Sequence, residues 1–372
     1  MSFFPIGLMG KSLDAFAAAE NVTADNIANV NTPGASRQIA MLSEAPAIVG
    51  SPFASTHVGG TFGDGVLLSS VQRIHQDSYD ALFRGASASQ NYFSVQQQQL
   101  GAVQSSFGDP NSGVGAQFTA FQAAINQLAA QAGSGSSSAA QQNVISQAQA
   151  LTNSLNNAAN SVTLQKTQTV SQAGAIVVKA NGILDQIAAL NSQIRASTAV
   201  GDNPNTFSDQ RDHLIDQLSQ YISTQTSVQP NGSTLVSVNG QALVNDTIAY
   251  HLAPPVISQN PNGTPAFVIG FANDPNPSSP APVPLGSGQL AGFADLYNNK
   301  LTPYGQQLDN FAGSLASEVN RITQAGYDQN GVAGVNLFAP VVGTNPISAS
   351  NIQVGITNPA QLPASLASTA AG

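Results

Sequence analysis

The sequence predicts an α+β fold, mainly α, in which a long coiled-coil-like helical bundle, or rod, carries an inserted small β-rich domain and an extended N-terminal helix. Three observations predict it. Apolar residues recur at coiled-coil spacing from Ile6 to Val30, and a longer run from Leu155 to Ile194 holds one heptad track. Between residues 226 and 286 the period changes to two, and Asn-Gly pairs flank the alternating residues.

The first helix rests on Ile6, Met9, Leu13, Phe16, Ile27 and Val30, spaced by threes and fours on either side of a polar gap at Glu20 and Thr23. This spacing predicts about 25 helical residues, ended by Pro33-Gly34, which cannot continue a helix. Such a stripe either packs on its own domain or pairs with a helix far away in sequence or in another subunit. Residues 1–43 are therefore set apart as an N-terminal helical segment. Residues 44–225 and 287–338 read as the helical domain, with a short β or loop region at 44–76, where Gly63-Asp64-Gly65 precedes alternating apolar positions.

Helical spacing returns through Leu82, Phe83, Tyr92, Phe93, Val95, Leu100 and Val103, then through Phe118, Phe121, Ile125 and Leu128. "GSGSSSAAQQ", residues 133–142, suits a helix-to-helix connection, and Ser138 with Gln141 has capping-box spacing. The heptad track follows: Leu155, Val162, Ile176, Ile183, Ile187, Leu190 and Ile194, with Ala159, Ala173 and Ala180 between them and Lys166 and Thr169 as polar intrusions. Another helix runs from Ser208 to about Ile222. The β-rich insertion at 226–286 is read from "NGSTLVSVNGQALVND" and "PAFVIGF". Leu296, Leu301, Tyr304, Leu308, Phe311, Leu315 and Ile322 mark the returning helix, and residues 339–372 read as a flexible Ala/Ser/Pro-rich tail.

Composition excludes several functions. Charged residues are 8% of the chain, against about 25% in ordinary soluble proteins, so Gln, Asn, Ser and Thr must supply the solvated surface. A net charge of −9 leaves no basic surface for nucleic acid. With no cysteine there is neither a disulfide nor a zinc-thiolate site. The start lacks the basic region of a cleaved leader, and no window offers the 18 or more apolar residues of a membrane span.

Catalytic signals are equally sparse. His57, His75, His213 and His251 show no metal-ligand spacing. "GSGQLAG" follows a Pro-rich loop and reads as a turn into a helix, and Asp328 with Asn330-Gly331 reads as a tight turn instead of a calcium loop. In "SDQRDHLIDQL", Asp209, Arg211, Asp212, His213 and Asp216 sit at a helix start, where acids suit the macrodipole and an arginine forms local ion pairs. No catalytic residue, cofactor site or metal site is assigned, and the protein reads as a non-enzyme.

"TADNIANVNTPGASRQ" resembles the signature of bacterial flagellar rod, hook and hook-associated proteins, and "SRQ" narrows the likeness to the hook-associated protein 1 (FlgK) family. The matching residues are Asn26, Ile27, Ala28, Asn29, Asn31, Thr32, Gly34, Ser36, Arg37 and Gln38; Ala35 departs from the family's aromatic. "GDGVLLSSVQRIHQDSYDALFR", "FSDQRDHLIDQLSQYIS" and the stretch from "GSGQLAGFADLY" to "GYDQNG" resemble the same family in the same order.

The resemblance implies a structural protein of the hook–filament junction, exported through the flagellar type III channel without a cleaved signal and residing in the extracellular flagellum. It implies self-association in a ring, contact with the hook protein and the second hook-associated protein, and an export chaperone. It implies neither nucleic acid binding nor membrane insertion. In the family the N-terminal helix pairs with a C-terminal helix of the same chain to form the inner tube, so Ile6, Met9, Leu13, Phe16, Ile27 and Val30 become the assembly seam, the partner helix is absent from this sequence, and Arg37 makes an intersubunit or interdomain polar contact. Other axial proteins (the hook subunit or the second hook-associated protein), a flagellar hydrolase and a surface adhesin are the alternatives.

Overall fold

The computed structural model describes residues 4–46, 65–107, 112–131, 137–328 and 331–363. His57, most of the expected loop at 44–76, the start of the 133–142 connection, Asn330 and the last residues of the tail lie outside them. The chain divides into two compact units, and the described residues are mainly helical with small antiparallel sheets.

The first unit comprises Met1–Asn91, Ile176–Pro254 and Ile269–Ala291. Helix α1 (Phe4–Ala28) packs on a hairpin of β1 (Gln38–Glu44) and β2 (Val66–Arg73), which pair from Gln38↔Arg73 to Glu44↔Val66 with a bulge at Met41/Leu42. The helix stops short of Pro33, so Val30 lies in the turn that follows. Strand β1 begins at Gln38, ahead of the β region expected from residue 44. The buried and half-buried positions of α1 are Leu8, Ser12, Ala15, Ala18, Ala19, Val22 and Asn26, and most of them are again spaced by fours and threes. Small side chains on this face let the hairpin backbone come close: a Cβ on Gly65 would lie 3.0 Å from Ser12 Oγ and 3.1 Å from Leu8 Cδ1.

Helix α2 (Asp77–Phe107) begins in this unit, and α4 (Ser137–Ala199) ends in it; α3 (Val114–Ala130) lies between them in sequence. Ile183, Leu184, Ile187 and Ile194 of α4 are buried, as are Ile215 and Leu218 of α5 (Asn205–Tyr221). A four-stranded antiparallel sheet follows, in the order β3 (Gln225–Val228), β4 (Thr234–Val238), β5 (Gln241–Asn245), β6 (Ile248–Ala249). Asn239 at φ 43° and Gly240 at φ 85° turn β4 into β5, the two left-handed residues that a tight hairpin needs.

The second unit comprises Tyr92–Ala175, Pro255–Val268 and Gly292–Gly372. Hairpin β7 (Val256–Gln259) and β8 (Pro265–Val268) belongs to it, so the insertion expected at 226–286 is not one body but is divided between the units. Helix α6 (Gln289–Asp295) runs through a π-helical turn (Leu296–Leu301) into α7 (Thr302–Ala325). Val144, Leu151, Leu155 and Val162 of α4 pack with Phe121, Leu296, Leu301 and Leu308 in one core. Helix α4 is long and apolar enough by composition to cross a membrane, but Leu155, Val162, Ile183, Ile187 and Ile194 of its apolar track are buried in these cores. Gln141 is buried in the same unit and reaches Leu362 O at 3.4 Å, and Ser138 lies inside α4.

The expected flexible tail is corrected over 339–363. Strands β9 (Phe338–Pro340) and β10 (Ile352–Val354) pair, and Phe338, Ala349, Ile352, Ile356 and Leu362 are buried in the core of the second unit. The sequence gives no periodic sign of this, because the anchors are irregularly spaced and side-chain amides hold the backbone.

That use of amides recurs. Asn26, Asn181, Asn191, Asn298 and Asn320 each accept from the N–H and donate to the C=O of one residue, respectively Gln38, Leu252, Thr234, Phe267 and Phe338, at 2.7–3.0 Å. A primary amide carries a donor and an acceptor side by side, so a helix-borne Asn can stand in for a neighbouring strand. In a charge-poor chain, these pairs satisfy backbone groups without burying an ion.

Candidate functional site

The outward face of α1 is the first feature of the site. Ile6, Met9, Leu13, Phe16 and Ile27, with Val30 just beyond the helix, are 67, 72, 69, 57, 70 and 75% exposed. The helix already spends the face beside this row, from Leu8 to Asn26, on the hairpin. A row of large apolar side chains left open on a packed helix, interrupted only at Glu20 and Thr23, marks an interaction surface more strongly than scattered exposed leucines would.

The second feature is the turn at the end of the row. Asn29 N and Thr32 N continue the chain with bonds to Asp25 O and Asn29 O, both 2.9 Å, and Asn29 Nδ2 donates to Asp25 Oδ1 at 3.0 Å. Gly34 then adopts φ 83°, and a Cβ there would lie 2.7 Å from His213 Cβ on α5. Two reasons therefore require glycine: the left-handed backbone and the closeness of His213. Ser36 N donates to Asp209 Oδ2 (3.0 Å), Asn205 Nδ2 donates to Gln38 Oε1 (3.3 Å) and Val71 O (2.8 Å), and Asn26 clamps Gln38. Two stretches that the sequence offers separately, "NTPGASRQ" and "SDQRDH", are thus one joint.

Among the motif residues, Asn26, Asn29, Thr32, Gly34, Ser36 and Gln38 build this joint, while Ile27, Ala28, Asn31 and Arg37 face outward. Ala35 lines an open cleft of about 900 Å³ together with Leu190, Gln210 and His213. Arg37 borders this cleft and a groove of about 440 Å³ that contains Val22, Ile27, Val30 and Ile39.

Beneath the joint lies an ion cluster that sequence reasoning reduced to local pairs. Arg73 Nη1 meets Asp209 Oδ1 at 3.0 Å and Asp212 Oδ2 at 2.6 Å, the second contact being too bent to count as a hydrogen bond. Arg84 joins Asp216 (2.6 Å) and Asp80 (3.3 Å), and Arg211 donates to Asp212 Oδ1 (3.1 Å) and Gly232 O (3.1 Å). Burial opposes the charge on Arg73, but Asp212 and Asp209 outweigh it and raise its pKa; on Arg211 burial prevails and lowers it. Burial also lifts the Asp216 carboxyl, against the pull of Arg84.

Each acid of the α5 motif is held by an arginine, which leaves no carboxylate pair poised for acid–base work. His75, with Asp80 and Asp212, does form a trio close enough to ligate a metal, which the scattered histidines of the sequence concealed. Guanidinium groups already supply the positive charge there. His251 Nε2 lies 2.7 Å from Asp185, and His213 Nε2 lies 2.9 Å from Gln217.

Fold and site together describe a protein organised around open helix surfaces and a clamped turn. The family model for the flagellar hook-associated protein FlgK helical domain matches residues 100–338, and the flagella basal body rod protein model matches residues 12–35. The chain is 30% identical over 352 residues to flagellar hook-associated protein 1 of Escherichia coli, covering 93% of this chain and 62% of the relative. It is 29% identical to that of Salmonella typhimurium, covering 91% and 60%. The solved structure of the flagellar hook junction protein FlgK from Burkholderia pseudomallei is similar at a TM-score of 0.58 and 30% identity, over 71% of this chain and 47% of that one. The chain belongs to the flagellar hook-associated protein FlgK family. It spans about three-fifths of the length of those two curated relatives.

Proposed function

We propose that the protein is a structural, non-catalytic component of the bacterial flagellum that joins hook to filament and polymerises by helix–helix packing of coiled-coil type. In this reading it reaches the extracellular junction by type III export, escorted by a chaperone, and meets further copies of itself, the hook protein and the second hook-associated protein. One observation carries the reading: α1 packs one face on its own hairpin and leaves a row of large apolar residues open beside it.

The magnitudes suit assembly rather than a lone pair. Covering six side chains that are more than half exposed yields on the order of 6–12 kcal/mol, at about 1–2 kcal/mol each. Association itself costs on the order of 4–15 kcal/mol, so a single contact is marginal and a lattice of repeated contacts is stable.

Co-sedimentation with purified hooks tests this. The wild-type chain pellets with hooks, and L13Q/F16Q, which removes apolar area from the open row, stays in the supernatant. Equal pelleting of the two would contradict the reading.

A further inference from the structure

The buried face of α4 in the second unit repeats itself. Its positions recur by threes and fours through Leu155, Ala158, Val162, Gln165, Thr169 and Ala173, and α2 carries Val95, Gln99 and Val103 at steps of four. A slide of one heptad along such a seam exchanges alanine and valine contacts for others much like them. Apolar packing alone therefore sets the register of α2 on α4 only weakly.

The polar residues on this face differ in what they bond. Thr169 Oγ1 donates to Gln165 O on its own helix at 2.8 Å, as Thr152 Oγ1 does to Gln149 O at 3.0 Å, and both bonds survive any slide. Gln165 instead reaches across to α2. Its Nε2 donates to Gln99 Oε1, and Gln99 Nε2 donates to Gln172 Oε1 at 2.9 Å. Gln99 and Gln165 are buried, whereas Gln172 is exposed.

The single amide of Gln99 thus spans two α4 positions one heptad apart, accepting from one and donating to the other. Sliding by one heptad changes those positions to Ala158 and Gln165, or to Gln172 and Lys179. The first leaves half of the buried Gln99 amide unpaired, and the second strands the buried Gln165 amide.

We propose that Gln99 and Gln165 form a register lock, which selects one alignment of α2 on α4 and contributes little to stability. The lock holds the exposed sides of the two helices in one fixed arrangement. It is independent of the assembly reading above, because Gln99, Gln165 and Gln172 all lie inside the second unit.

Distance measurement between two spin labels tests it, in a chain that has no cysteine of its own. Q98C on α2 and Q168C on α4 place the labels at exposed positions beside the lock. The labelled chain with both glutamines shows one distance. Adding Q99L/Q165L introduces a second population displaced by about 10 Å, the length of seven helical residues at 1.5 Å each. Leucine is similar in size and leaves no amide unpaired in the core, so thermal unfolding of Q99L/Q165L stays at or above the wild-type midpoint. Q99L alone, which strands Gln165, unfolds at a lower temperature than the double variant.

A single unchanged distance in Q99L/Q165L overturns the proposal. A double variant that folds but unfolds below both Q99L and Q165L also overturns it, because the amides would then serve stability and not alignment. Should Q99L/Q165L fail to fold, Q99M/Q165M, whose unbranched side chains keep the length of glutamine, is read by the same two measurements against Q99M and Q165M.

Discussion

Replacing Gly34 by alanine probes the joint between the turn and α5. A non-glycine residue at φ 83° costs about 1–3 kcal/mol in backbone strain. The new Cβ would also sit 2.7 Å from His213 Cβ and 2.9 Å from His213 Cγ. His213 cannot simply recede, because α5 is tied to the same turn through Asp209 and to Arg73 beyond it. Relief requires the turn to lift, which stretches the 3.0 Å bond from Ser36 N to Asp209. Overpacking of this kind adds about 1–3 kcal/mol, for a total of about 2–6 kcal/mol. Urea unfolding of G34A reads the total, and hydrogen exchange at the Ser36 amide reads its location. An unfolding free energy within about 0.5 kcal/mol of wild type, the range of an inconsequential surface change, with Ser36 equally protected, would refute the reasoning.

Other perturbations separate the remaining parts. N191A removes the acceptor for Thr234 N and the donors to Thr234 O and Asp246 O, leaving a buried amide unpaired; a loss of about 3–5 kcal/mol in denaturant unfolding is expected. L13Q/F16Q alters exposed positions and should leave monomer stability within about 0.5 kcal/mol of wild type by thermal unfolding, while association is lost. Because burial raises the Asp216 pKa, the folded chain holds this proton to a higher pH than the unfolded chain. Wild-type stability measured against D216N should therefore rise as pH falls from the raised folded value towards 3.8, and unfolding curves across that window check the sign.

Much of the helical framework is legible in the sequence because its signals are periodic and local. The heptad track of α4 and the Asn239-Gly240 hairpin each depend on residues within a few positions of one another. The inward face of α1 was hidden for the opposite reason. Ala15 and Ala19 register weakly as hydrophobic residues, and the large row beside them draws the eye. Asparagine within a helix reads as a neutral or poor helix former, so the clamps at Asn191 and Asn320 have no local signature. The ion cluster joins Arg73 and Arg84 to acids more than a hundred positions away, and no spacing rule spans that distance. The motif "NTPGASRQ" marked the joint's location, whereas its partner on α5 emerged only from the fold.

Because the chain has no cysteine, a single introduced thiol reports on one position alone. L13C places it on the open row of α1, and N21C places it on a separate exposed face of the same helix. Thiol labelling of each variant, free in dilute solution and bound to purified hooks, measures directly whether the row is the assembly surface. The account predicts that L13C labels rapidly when free and is shielded when bound, while N21C stays reactive in both states. Undiminished labelling of L13C in bound protein would contradict it.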